Sequence, residues 1–146
     1  MASRRFPVKK ALIVLVFLLS ATSAFAVSES LVIADGASVT ASVFLDIYGL
    51  TGISTPAMTA STAYLEIEVS DDPMSTSDAN ATWLKVYDVD GSPLRIPVST
   101  SAAQRHQLEP GIHHHLGRLR FRAITSTGSS QNQTGEKTLV IRYRRY

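Results

Sequence analysis

Ala63-Tyr64-Leu65-Glu66-Ile67-Glu68-Val69-Ser70 and Arg118-Leu119-Arg120-Phe121-Arg122-Ala123 are the stretches whose reading decides the fold. In an extended chain successive side chains point to opposite faces, so Leu65, Ile67 and Val69 share one side and Tyr64, Glu66 and Glu68 the other. Leu119, Phe121 and Ala123 are set in the same way against Arg118, Arg120 and Arg122. A period of two predicts strands with a single core face, and the charged side reads as a solvated strand face. Near the end of the chain Leu139, Ile141 and Tyr143 alternate with Val140, Arg142 and Arg144.

Outward from these, short runs rich in Val, Ile, Thr and Tyr recur between turn signals, and from Ser28 on no window holds helical spacing. The remaining predicted strands are 30–33, 39–45, 50–54, 83–87, 94–98 and 105–108, with 137–143 closing the set. Asp35-Gly36, Asp71-Asp72-Pro73, Asp90-Gly91-Ser92-Pro93, Glu109-Pro110-Gly111 and the apolar-free stretch 126–135 separate them. The expectation is an all-β domain, an antiparallel β-sandwich of about eight or nine short strands. Its predicted interior holds Leu65, Ile67, Val69, Leu84, Val86, Leu119, Phe121, Leu139 and Ile141.

The chain has 146 residues, 45% of them apolar and 18% charged, with a mean hydropathy of +0.09. That is one domain of ordinary size, neither a disordered polyelectrolyte nor a multispanning membrane protein. The absence of cysteine excludes disulfide scaffolds, Cys-ligated metals and thiol nucleophiles.

Residues 1–26 read differently from the rest. Arg4, Arg5, Lys9 and Lys10 precede the apolar run 11–19, and Ala24-Phe25-Ala26 closes the three-part plan of a secretory signal peptide, with cleavage expected after Ala26. An uncleaved hydrophobic helical segment and a true start at Val27 are the alternatives. The apolar run is too short to cross a bilayer, which takes about 20 residues, so membrane contact is expected only through 1–26, if they are retained. The division is thus 1–26 and a sandwich domain over 27–146.

With the first segment set apart, ten basic face twelve acidic residues, so the overall net charge of +2 is no sign of a nucleic-acid partner. Residues 27–104 carry a net −8 and residues 105–146 a net +6. Two arrangements follow from this split. Acidic and basic faces of separate copies meet, which favours encounter and register, or the two pair within one subunit as cross-strand neighbours. The candidate contact residues are Glu66, Glu68, Arg118, Arg120, Arg122, Arg142, Arg144 and Arg145.

Motifs for chemistry are weak. Asp88-Val89-Asp90-Gly91-Ser92 opens like a calcium loop, but the twelfth position is Ser99 instead of a bidentate Glu, so a hairpin turn is expected. His106 with His113, His114 and His115 offers imidazoles, yet only Glu109 is near and Pro110-Gly111 splays the group, so surface histidines are expected and no metal is assigned. There is no Gly-x-Ser-x-Gly elbow and no phosphate-binding loop. No catalytic residue and no cofactor are assigned.

The order of several segments resembles a family of small β-sandwich virion structural proteins of tailed bacteriophages. The matching segments are 31–36 (Leu31 to Gly36), Gly52-Ile53-Ser54-Thr55-Pro56-Ala57 followed by 63–70, Leu84 to Gly91, Leu108-Glu109-Pro110, Leu119-Arg120-Phe121-Arg122, Gln131-Asn132-Gln133 and 139–142. The resemblance implies a non-enzymatic capsid decoration or head-tail component located in the virion. Its partners would be other copies and a major capsid or head-tail protein. The export-like amino terminus departs from that family, and it suits a phage-like domain with a secreted role, a misassigned start, or an apolar arm within an assembly. The reading from a different class is a secreted or periplasmic carbohydrate- or surface-binding module stacking on aromatic rings, for which Trp83, Tyr48, Tyr64 and Tyr87 are the sparse candidates.

Overall fold

The computed structural model describes residues 27–45, 48–108 and 117–145. The expected helical segment and cleavage point in 1–26, and His113, His114 and His115, lie outside the described residues. Among the described residues nine strands follow one another: β1 (Val27–Ile33), β2 (Val43–Phe44), β3 (Tyr48–Thr55), β4 (Tyr64–Ser70), β5 (Leu84–Lys85), β6 (Arg95–Pro97), β7 (Gln104–Gln107), β8 (Arg118–Ile124) and β9 (Lys137–Arg145). Among the described residues no helix is long and apolar enough to cross a membrane.

The strands form two antiparallel sheets, one in the order β1-β9-β3-β7 and one in the order β2-β8-β4-β5, with β6 also on β4. The pairs β1·β9, β2·β8, β3·β7 and β4 with β5 and β6 are nested like the two arms of one long ribbon. The roll closes through β3·β9 and β4·β8. This is jelly-roll connectivity, two Greek keys in two sheets. β5 and β6 act as two halves of one interrupted strand along β4.

The core lies between the sheets. Leu31, Ile33, Leu50, Ile53, Leu139 and Ile141 from one sheet meet Leu65, Ile67, Ile96, Leu119, Phe121 and Ala123 from the other. The inward sets predicted for β4, β8 and β9 are thus in place. Leu84 is not: it is 58% exposed, because β5 is a two-residue strand at the edge of the sheet. The strand expected over 39–45 is reduced to Val43–Phe44 and the one over 83–87 to Leu84–Lys85. Within the former span Thr40 spends its backbone N–H and its hydroxyl on Phe121, at 3.0 and 3.1 Å.

The apolar-free stretch 126–135 is held by Gln133, which is buried. Its Oε1 accepts from the Thr59 N–H at 3.0 Å, and its Nε2 donates to Thr62 Oγ1 at 3.0 Å and to the Gln131 carbonyl at 2.9 Å. Backbone bonds between Gly36 and Gln133 and between Gln133 and Ala37 tie the loop after β1 to the same point.

Candidate functional site

The two outer faces of the sandwich carry charge in opposite ways. On the five-stranded sheet, register sets Glu66 opposite Arg122, Glu68 opposite Arg120 and Ser70 opposite Arg118. Glu68, 4% exposed, accepts from Arg120 Nε at 2.7 Å and from Arg122 Nε at 2.6 Å. Glu66, 1% exposed, accepts from Arg95 Nε at 3.0 Å and lies 3.1 Å from Lys85 Nζ. The solvated face expected here is therefore a buried layer. The connection 71–83 folds back over Arg118 and Arg120, while Arg95 and Lys85 cover Glu66.

Arg118 anchors that strap. Its Nη1 donates to the Thr76 carbonyl at 2.7 Å and its Nε to Ser42 Oγ at 3.0 Å, while its Nη2 meets Asp78. The Asp78 carboxylate in turn accepts from the Ser42 N–H at 2.9 Å and from the Ser42 hydroxyl at 2.6 Å. Burial alone pushes the Asp78 carboxyl up, but the Ser42 hydrogen bonds and the Arg118 guanidinium outweigh it and hold the group below its ordinary value. Trp83 completes the cover. Its ring lies 4.1 Å from the Arg120 guanidinium and 5.4 Å from that of Arg118, and its Nε1 donates to the Asp78 carbonyl at 2.9 Å. This indole thus packs against two cations, an arrangement worth about 0.5–2 kcal/mol per contact.

Five of the eight candidate contact residues (Glu66, Glu68, Arg118, Arg120 and Arg122) are in this way brought together inside one subunit. They form the cross-strand arrangement that was one of the two expected.

The four-stranded sheet is different. Its outer face carries Arg142 and Arg144 on β9 and Arg105 on β7, with Ser28 and Ser30 on β1 and Gly52 and Ser54 on β3 between and beside them. None of these strand positions is a carboxylate. Arg142 donates to Ser54 Oγ at 3.0 Å. Arg105 is exposed and has no partner among the described residues. Arg145 ends β9 opposite Tyr48.

A β-bulge at Thr51 shapes this face. Register shifts between Leu50 and Gly52, and the Thr51 hydroxyl donates to the Arg142 carbonyl at 3.1 Å. Gly52 approaches β7 so closely that a Cβ there would stand 2.9 Å from the His106 carbonyl oxygen, so only glycine fits. The result is an open concavity of about 450 Å³ lined by Thr51, Gly52, Arg105, His106, Gln107 and Arg142. Neither Arg105 nor Gly52 is among the eight candidates. The four residues of β7 contain no apolar side chain from which a strand phase is legible.

No family model and no curated protein matches the chain.

Other candidates distribute as follows. Asp88-Val89-Asp90-Gly91 is the turn of a short ribbon in which Tyr87 bridges Pro93, and both carboxylates are used in the turn itself. Among the described residues no group of three or more His, Asp or Glu side chains converges to hold a metal. His106 shares the inner face with Ile53, its register partner. The exposed rings Phe44 and Tyr87 belong to opposite edges of the five-stranded sheet, separated by β8 and β4.

Proposed function

We propose that the chain is a non-enzymatic structural subunit of a bacteriophage-type particle, a capsid decoration or head-tail component. In this role it makes repeated contacts with other copies and with a major capsid or head-tail protein. The observation that carries the reading is the outer face of the four-stranded sheet, where Arg105 and Arg142 stand beside Ser54 and Gly52 and no described strand position of that face is a carboxylate. The opposite face has its charges consumed internally. Guanidinium groups in this setting suit bidentate contact with carboxylates of a neighbouring protein. Jelly rolls serve in viral capsids and in lectins alike, so the fold supports the reading without deciding it. What favours a protein surface over a glycan is that the exposed rings among the described residues are not neighbours, while Arg105 and Arg142 share one face.

Replacing Arg142, Arg144 and Arg145 by Glu is expected to abolish incorporation into particles and to weaken association most at low salt. Exposed charge contacts are screened over a Debye length of about 10 Å at 0.1 M. Sedimentation at two salt concentrations, with immunodetection in purified particles, reads both effects. Recovery of the chain only from the secreted or periplasmic fraction, together with retention on immobilised glycans, would overturn the reading.

A further inference from the structure

The concavity beside Gly52 is open and lined by two cations. Arg105 and Arg142 flank it, Gln107 adds an amide, and the missing Cβ of Gly52 leaves its floor to backbone. The same chain carries a shape of the complementary kind. At the Asp88–Gly91 turn Val89 is 99% exposed and stands between two aspartates. The turn is pre-formed: the Val89 N–H donates to Asp88 Oδ1 at 2.6 Å, the Ser92 N–H to Asp90 Oδ1 at 2.9 Å, and the Gly91 N–H to the Asp88 carbonyl at 3.0 Å. Gly91 takes φ +79°, which a residue with a Cβ rarely adopts. Each aspartate thus spends one oxygen on the turn and leaves Oδ2 for a partner.

Within one copy the two do not meet, because Val89 is open to solvent and neither aspartate is paired with an arginine. We propose that the Thr51-Gly52-Arg105-Gln107-Arg142 concavity receives the Asp88–Gly91 turn of a second copy. This rests on the structural-subunit reading and names its contact. Arg105 and Arg142 take the free carboxylate oxygens, and Val89 is covered against the glycine floor and the arginine stems. Because turn and concavity are different surfaces, the contact is head to tail. Repetition therefore gives a closed ring where the rotation closes and an open filament where it does not. A rigid turn loses little freedom on docking, which favours a loop of this kind as the inserted part.

The test is charge-swap complementation in the full chain, read by sedimentation at low ionic strength, with circular dichroism confirming the β-spectrum of each variant. Arg142→Glu alone and Asp90→Arg alone are each expected to weaken self-association by about tenfold or more, since like charges are then opposed across the contact. An equimolar mixture of the two variants is expected to restore it, because the reversed concavity of one meets the reversed turn of the other. Arg105→Glu replaces Arg142→Glu if loss of the Ser54 contact disturbs folding. Association at the wild-type level in either single variant, or failure of the mixture to recover it, overturns this pairing while leaving the structural-subunit reading in place. A wild-type chain that stays monomeric at every concentration and salt, and is absent from particles, overturns both.

Discussion

Removing the Glu68 carboxylate would leave two guanidinium groups behind, one of them buried against Trp83. Glu68→Ala is therefore expected to cost about 3–5 kcal/mol, the range for stripping one partner from a buried ion pair, measured as a fall in the urea midpoint. Glu68→Leu combined with Arg120→Met removes charge from both sides and is expected to recover most of that loss. Arg122 remains nearer solvent, bonded to Ser130 Oγ at 2.9 Å. Gly52→Ala belongs to the same scale: its Cβ must displace the backbone of β7, and overpacking of this kind costs about 1–3 kcal/mol. Alternation along Ala63–Ser70 told which side chains share a face. It held no information on whether that face meets water, because the cover comes from residues outside the strand.

At the scale of elements that cover is the strap 71–83, fastened at Asp78. The sign of its pH dependence follows from the lowered Asp78 carboxyl: the stabilising contribution is fully present above the ordinary value of 3.8 and is lost as pH falls through the lower folded value. On acidification Trp83 fluorescence is expected to change before the far-ultraviolet signal of the sheets, and Asp78→Asn should abolish that separate step. A single coincident transition in the native chain would show that the strap and the sheets unfold as one unit. The long strands β4, β8 and β9 were legible because their apolar residues keep period two over several positions. β2, β5 and β7 were legible only as approximate spans, being two to four residues long and having their ends set by tertiary partners. Gln133 shows the converse. A polar residue in an apolar-free stretch reads as loop, yet its amide is the buried point on which two other loops converge.

For the whole molecule, strand order was the part the sequence could not carry. The sandwich class follows from many short strands with turn signals, but β1 finds β9 and β2 finds β8 only through the closure of most of the chain. Such non-local pairing predicts refolding on the order of milliseconds to seconds, observable through Trp83 after dilution from urea. Because the buried core residues among the described ones lie between Leu31 and Ile141, a chain beginning at Val27 is expected to keep the urea midpoint of the full chain. A sharp drop would make residues 1–26 part of the packed structure. The outermost pair of the ribbon has one more effect. Val27 stands opposite Tyr143 and Ser28 opposite Arg142, so the first and last described residues lie at a single corner. Anything that tethers the protein through the residues before Val27 therefore grips it by its basic end. The separation of Arg142 from the point of attachment at Val27 is then fixed by the hydrogen-bond register of two strands.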